Sequence, residues 1–222
     1  MLTRTIKISP ENLDAALKEA AAVLKAGGLV AYPTESFYAI GADALNPDAV
    51  EKVFLAKKRR EDNPLPVIIH DKAHIYKYAR DLSPVAVKAI EKLMPGPLTL
   101  VLWASATVPE ILSAGTGKVG IRVPEHAVAA GIARLFGGPV TATSANHSGM
   151  PGLTDADSVA EAMGESLGLI LDGGRAPGAP ASTVLDVTSA PALLIREGLV
   201  KKSIIEEVLG HIAAHPQKTE NS

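Results

Sequence analysis

The sequence contains no cysteine. That removes disulfides, thiolate metal sites and a cysteine nucleophile together, and it fits a reducing, cytoplasmic address. Aromatic residues are scarce at 4%, with three Phe, four Tyr and one Trp. The core must therefore be built from Val, Leu, Ile and Ala, and a broad stacking platform for nucleic-acid bases is not expected. The formal net charge is only −2, so no global positive field advertises nucleic-acid binding and any basic function must be local. No run approaches the ~20 apolar residues that cross a bilayer. The opening Met1-Leu2-Thr3-Arg4-Thr5-Ile6-Lys7 lacks the apolar stretch of a signal peptide. Internal repeats and low-complexity segments are missing too.

What is present suffices for one domain: 222 residues, 47% of them hydrophobic, can bury a real core. Ser9-Pro10-Glu11 reads as a helix start, and Leu13, Leu17, Ala21 and Leu24 share one helical face before Gly27-Gly28 ends it. Leu29 to Tyr32 reads as a buried strand running into the polar turn Pro33-Thr34-Glu35-Ser36. Asn46-Pro47 opens a helix with Val50, Val53 and Phe54 inward that closes on Lys57-Lys58-Arg59-Arg60. Further strands are expected at 65–69, 98–102, 119–123, 139–143, 168–171, 182–187 and 192–196. Helices are expected near 71–79, 84–94, 126–136 and 155–163, with a last one over 203–214 and a polar tail at 215–222. Strands and helices interleave through short connections, which predicts an α/β domain with one mixed sheet. It would span residues 1–209, with 210–222 as a helix end and tail.

Four polar clusters fall at strand or helix ends, where α/β domains place ligands. The 33–36 turn can offer hydroxyls and backbone N–H groups to an anion or an amino acid, or it is an ordinary capped turn. The four cations at 57–60 could be a solvated charge run supported by the helix dipole. Alternation would instead turn Lys57 and Arg59 inward, a pair suited to phosphates, and leave Lys58 and Arg60 in water. Thr141 to Gly149 packs six hydrogen-bonding side chains into one strand end and loop, a density unusual for a plain connection. Ala181-Ser182-Thr183-Val184 and Arg196-Glu197-Gly198 each read, alone, as a strand end and turn. Two patterns carry no site. Gly115-Thr116-Gly117-Lys118 fails the phosphate-loop spacing, because Leu112 and Val119 stand where glycine and a hydroxyl are needed. His211 and His215 have the spacing of helical zinc ligands but no third ligand nearby in the sequence.

In order along the chain, these clusters resemble the YrdC-like family of threonylcarbamoyl-AMP synthases in its short, single-domain form. The resemblance runs from about Leu29 to Leu209. It rests on Pro33-Thr34-Glu35-Ser36, Ala56-Lys57-Lys58-Arg59, Pro64-Leu65, Pro95-Gly96-Pro97-Leu98-Thr99 and Val119-Gly120-Ile121-Arg122-Val123-Pro124, then on Ser144-Ala145-Asn146-His147-Ser148-Gly149, Ser182-Thr183-Val184 and Arg196-Glu197-Gly198. It implies a twisted open mixed sheet with flanking helices around a positively charged cavity. It also implies the synthesis of threonylcarbamoyl-AMP and pyrophosphate from L-threonine, bicarbonate and ATP. The threonylcarbamoyl group would pass to tRNA through separate tRNA-modifying partner proteins, with tRNA itself a further candidate partner.

Carried over residue by residue, Lys57 and Arg59 would hold the triphosphate, with Mg²⁺ arriving on ATP rather than on direct protein ligands. Ser144 and Asn146 would sit between nucleotide and threonine. Thr34, Arg122 and Ser182 would hold threonine, with Arg122 pairing its carboxylate, and Arg196 would contact the nucleotide. Departures from the family pattern are Ser36 for Thr, Ala39 for Gly, Arg60 for Pro and Ile68 for a threonine-contacting His. Members with a second, C-terminal domain run well past 300 residues, so the linker lid of those members is not expected here. The competing reading is a non-catalytic RNA-binding module using the same basic cavity. A carbamoyl-phosphate-dependent relative is disfavoured by the absence of zinc-binding cysteines.

Overall fold

The computed structural model describes residues 3–214. In chain order its elements are β1 (Arg4–Lys7), α1 (Leu13–Lys25), β2 (Val30–Pro33), β3 (Tyr38–Gly41), α2 (Pro47–Lys57), β4 (Val67–Ile68) and α3 (Ile75–Tyr78). There follow β5 (Ala79–Arg80), α4 (Pro84–Leu93), β6 (Leu98–Ala104), α5 (Glu110–Ser113), β7 (Lys118–Arg122), α6 (Ala127–Phe136), β8 (Val140–Thr141) and β9 (Thr143–Ser144). The chain closes with α7 (Ala156–Met163), β10 (Leu169–Asp172), β11 (Thr183–Asp186), β12 (Leu193–Arg196), α8 (Lys202–Leu209) and β13 (Ala213–Ala214).

The strands form two open mixed sheets rather than the one expected. The smaller runs β1-β10-β2-β3-β9; the larger runs β13-β12-β11-β6-β7-β4-β8, with β5 also paired to β6. The division falls inside the strand expected at 139–143. Val140 and Thr141 pair with β4 in the larger sheet, whereas Thr143 and Ser144 pair with β3 in the smaller. Ala142 is the crossing point, its N–H bonded to the Pro66 carbonyl at 2.8 Å. A single segment thus belongs to both sheets, and the space between them is the site.

Period-two alternation explains which face of the larger sheet meets that space. Leu98, Leu100, Leu102, Val119, Ile121 and Leu185 are buried on one face in the larger of two apolar clusters. Their neighbours Thr99, Val101, Lys118, Gly120, Arg122, Val184 and Asp186 line the cavity on the other. The smaller cluster packs α1 and α6 onto β2 and β10. Gly131 permits the close approach of the two helices, since a Cβ there would meet Leu17 Cδ1 at 2.5 Å.

Helix boundaries follow their caps. Asn46 Oδ1 accepts from the N–H groups of Asp48 and Ala49, and Ser83 Oγ from that of Ala86, each ahead of an N1 proline. The helix expected from Ser9 begins at Leu13 instead. Asn12 turns back to bond the Ser9 N–H and the Lys7 carbonyl, so residues 9–12 form a turn after β1. The strand expected at 65–69 narrows to Val67–Ile68 between Pro66 and the turn that follows. The helix expected at 71–79 is a 3-10 turn at Lys72–His74 followed by the short α3. The last helix stops at Leu209, because Gly210 takes φ 83. Residues 213–214 add a parallel strand to β12 instead of continuing the helix to 214. The tail at 215–222, with His215, lies outside the described residues.

One glycine ties this architecture to the site. A Cβ at Gly198 would stand 2.0 Å from the Ala181 carbonyl oxygen and 2.8 Å from both Ser182 C and Thr183 N. All three are backbone atoms that cannot rotate away. Gly198→Ala is therefore expected to destabilise the fold by about 1–3 kcal/mol, read from urea unfolding; a midpoint equal to the unsubstituted chain's would show that the 181–183 backbone yields freely.

Candidate active site

A cavity of about 530 Å³ opens between the 34–37 turn, β3 and β9 of the smaller sheet and the exposed face of β6, β7, β11 and β12. That is ample for a small-molecule substrate site. Six charged side chains line it: the cations Arg59, Lys118, Arg122 and Arg196 and the acids Glu35 and Asp186. Both acids stand against cations. Arg122 Nη1 lies 2.6 Å from Glu35 Oε1, and Lys118 Nζ lies 2.8 Å from Asp186 Oδ2. Arg59 and Arg196 have no carboxylate partner among the described residues. The positive character of the cavity therefore comes from these two guanidinium groups.

Backbone oxygens, with the Asn63 side-chain oxygen at Arg59, aim both of them. Arg59 Nε donates to the Asn63 carbonyl at 3.1 Å and Nη2 to Asn63 Oδ1 at 2.5 Å and the Pro64 carbonyl at 2.9 Å. Arg196 donates through Nε and Nη2 to the Ser182 carbonyl at 3.2 and 2.8 Å. Lost hydration lowers both from the ordinary arginine value, although Arg196 as a whole residue stays exposed. The alternation expected at the end of α2 is present. Lys57 is buried and Arg59 half-buried, whereas Lys58, in a left-handed C-cap at φ 49, and Arg60, paired to Asp62, are exposed.

Lys57 occupies a place other than the one expected of it. It is 1% exposed and does not line the cavity. Its ammonium donates to the carbonyls of Ser144 and Asn146, the latter at 2.7 Å, and to Asn146 Oδ1 at 3.1 Å. Three donors thus meet three protein oxygens. The loop answers in kind: Ser148 N–H donates to the Lys57 carbonyl at 2.8 Å. Asn146 also turns inward, accepting from Ser144 Oγ and donating to the Met150 carbonyl. Burial, and then the Arg59 charge, push the Lys57 ammonium down to about 8.

Of the other expected residues, Thr34, Arg122, Ser144 and Ser182 line the cavity with Arg59 and Arg196. Thr34 Oγ1 is engaged in its own turn, donating to the Phe37 carbonyl at 2.6 Å and accepting from Ser36 N–H at 3.2 Å. Ser182 Oγ lies 3.1 Å from Thr99 Oγ1. Arg122 is anchored through Nε to the Gly96 carbonyl at 3.0 Å.

Glu35, Lys118 and Asp186 were not singled out from sequence. Alternation backward from Arg122 along β7 points to Lys118, and Glu35 is the only acid in the 33–36 turn, so both signals existed. Ile68 and Ala39, two departures from the family pattern, stand in the cavity wall. His211 lies past the end of α8, and no cluster of three His, Cys, Asp or Glu side chains suited to a metal occurs among the described residues. No helix among them is long and apolar enough to cross a membrane.

A family model described as Telomere recombination (Sua5_yciO_yrdC) matches residues 22–198. The threonylcarbamoyl-AMP synthase of Pyrococcus abyssi is 39% identical over 200 residues, which cover 90% of this chain and 59% of that protein. The threonylcarbamoyl-AMP synthase of Bacillus subtilis is 38% identical over 203 residues, covering 90% and 58%. The chain thus spans a little under three-fifths of the length of these relatives. The crystal structure of P. abyssi Sua5 complexed with L-threonine matches with a TM-score of 0.90 at 36% identity, over 97% of this chain and 63% of that one.

The buried Lys57 yields a signed pH prediction. Its folded value of about 8 lies below the 10.5 of a free lysine. The unfolded chain therefore binds more protons between those values, and stability gained from this group rises with pH across that window. Relative to Lys57→Met, which lacks the charge, the unsubstituted chain should gain about 1–3 kcal/mol from pH 8 to 10.5 in denaturant titrations. A flat difference would show that the three oxygens hold the ammonium at its ordinary value, and a falling one that they raise it.

Proposed function

The chain belongs to the Sua5/YciO/YrdC family, and on that premise we propose that it is an L-threonylcarbamoyladenylate synthase, a nucleotidyltransferase joining L-threonine, bicarbonate and ATP. The observation that carries the reading is the charge pattern of one cavity. Two guanidinium groups, Arg59 and Arg196, have no carboxylate partner among the described residues, while Arg122 and Glu35 form a cation–anion pair in the same space. Unpaired guanidinium groups suit a triphosphate. A paired cation and anion suit an α-amino acid, which carries both charges.

The chemistry needs no covalent nucleophile. The threonine amine attacks the carbon of bicarbonate-derived carbon dioxide and loses a proton, giving a carbamate. A carbamate oxygen then attacks the α-phosphorus, the bond to the bridging oxygen breaks, and pyrophosphate leaves. Negative charge grows on the phosphoryl and leaving oxygens, so preplaced donors supply most of the stabilisation. Arg59 and Arg196 take that role, and Ser144, at the end of β9, would add its hydroxyl by turning it from Asn146 Oδ1 to the ligand. Lys57 and Asn146 act one step back, as positioning residues that hold the 144–146 backbone. Thr34 and Ser182 frame the threonine, whose carboxylate pairs with Arg122. Mg²⁺ would come with ATP and offset triphosphate charge, with no direct protein ligand assigned to it, since Glu35 and Asp186, the acids that line the cavity among the described residues, each face a cation. The product serves tRNA modification through separate partner proteins in the cytoplasm.

Purified protein given L-threonine, bicarbonate, ATP and Mg²⁺ should release pyrophosphate and form threonylcarbamoyl-AMP, detected by mass spectrometry. Pyrophosphate release indifferent to threonine or bicarbonate would sink the assignment, and salt-dependent RNA binding without turnover would favour the RNA-binding reading. Arg59→Ala should lower turnover about 10–1000-fold through loss of a charged phosphate contact.

A further inference from the structure

The Arg122–Glu35 pair is incomplete as an ion pair, in a way that structural pairs seldom are. Glu35 has two carboxylate oxygens, and both are sealed from solvent without an aligned hydrogen-bond donor among the described residues. Arg122 Nη1 comes within 2.6 Å of one of them, close enough that, against the opposing effect of burial, it holds the Glu35 carboxyl below the ordinary glutamate value, but its N–H is not aimed along the contact as an aligned hydrogen bond would be. The guanidinium is held at the other end, by Nε on the Gly96 carbonyl, and its Nη groups make no aligned hydrogen bond among the described residues. Beside them, His126 Nδ1 is also buried and unpartnered, within reach of the Glu35 charge. Buried polar groups are almost always hydrogen-bonded, and exceptions call for an explanation. Here acceptor and donor capacity stand unused face to face, in the wall of the cavity.

The other cavity pair behaves differently. Asp186 accepts from Lys118 Nζ at 2.8 Å and from Thr188 N–H and Oγ1 at 2.8 and 2.5 Å. It is satisfied within the protein and asks for no ligand. The two pairs sit at opposite ends of β7, about 13 Å apart along the strand. Only the Arg122 end has vacant hydrogen-bonding directions of both kinds.

We propose that Glu35 is a stand-in for the substrate's carboxylate, resting on Arg122 while the cavity is empty and moving to the substrate's ammonium when an α-amino acid binds. This rests on the threonine reading above and deepens it. The incoming carboxylate takes the Nη edge of Arg122 with aligned hydrogen bonds that Glu35 does not make. The displaced Glu35 carboxylate accepts from the ammonium, which brings three donors to oxygens that now have none. Anchoring through Nε keeps the guanidinium in place during the exchange. The Nε anchor on the Gly96 carbonyl fixes Arg122, whereas no hydrogen bond to Glu35's carboxylate occurs among the described residues, so the acid is the partner able to move. Glu35 is thereby a specificity residue for the amino group, selecting α-amino acids over α-hydroxy acids of the same shape.

Calorimetric binding to the full chain tests this with two ligands, L-threonine and its analogue with hydroxyl in place of the α-amine. Glu35→Gln should weaken L-threonine about tenfold or more, by loss of a charge-assisted hydrogen bond, and should leave the hydroxy analogue unchanged or tighter, because a competitor for Arg122 has gone. Glu35→Asp, which keeps the charge, should retain the preference for the amine. Arg122→Lys should weaken both ligands together. Equal weakening of both ligands by Glu35→Gln would overturn the exchange while leaving the threonine reading intact. If the unsubstituted chain binds no L-threonine, with or without ATP, the threonine reading fails and the exchange falls with it.

Discussion

A single ammonium buried beneath a loop is the contact on which the site depends. Lys57 ends α2, and its Nζ reaches the Ser144 and Asn146 carbonyls and the Asn146 side chain. Lysine is the residue that fits, since an ammonium offers three donors from one point and three oxygens converge there. A planar guanidinium could not meet all three from that position. Charge burial is costly, and the value lowered to about 8 reports that cost. The return is that a helix end, a strand of the smaller sheet and the loop after it become one unit. Ser148 closes the ring by donating to the Lys57 carbonyl. Taking away the ammonium would strand three buried acceptors, which is worse than never having buried it.

The rest of the cavity is set by the sheet. One face of β6, β7 and β11 is committed to Leu and Ile packing, which obliges the alternate residues onto the other face. The side chains there are small or aliphatic at the centre, with Thr99, Val101, Gly120 and Val184, and charged at the ends, with Arg122 at one and Lys118 and Asp186 at the other. Gly120 keeps the middle low, since a Cβ there would press on Thr99 Cγ2 at 3.2 Å and Pro66 Cβ at 3.4 Å. The second wall exists because the chain changes sheets at Ala142, bringing Ser144 against Ala39 of β3.

Local patterns carried most of the elements. Capping at Asn46 and Ser83, and the aliphatic runs of β6 and β7, are decided by neighbours in sequence, so they were readable. What was not readable depended on distant partners. β3 looks like the end of a turn until it is paired with β2 and β9. β1 exists because β10, more than 160 residues on, receives it. The 139–143 segment has the composition of one strand, and nothing local says that its two ends pair in different sheets. The site divides the same way. The inward turn of Lys57 and Arg59 followed from alternation, but Lys57 facing a loop instead of the cavity follows from where Ser144 lands in space. Glu35 was overlooked because its hydroxyl neighbours carried the sequence signal, and its significance is a missing partner, a feature no sequence displays.

The charge arrangement carries a further consequence under the proposed activity. A cavity that must take both a carboxylate and a triphosphate risks having each settle on the other's cations. Affinity alone does not prevent this, because any unshielded guanidinium attracts the more highly charged ligand; specificity also requires a penalty for the wrong placement. Glu35 beside Arg122 and Asp186 beside Lys118 supply that penalty, since each sets a negative charge next to its cation in a poorly hydrated wall where repulsion is strong. A triphosphate laid across either pair would meet an anion, whereas at Arg59 and Arg196 it would meet donors without one. An amino acid at Arg122 avoids the repulsion because it brings its own ammonium for the displaced carboxylate. Under that activity the acids would sort two anionic ligands between two kinds of cation.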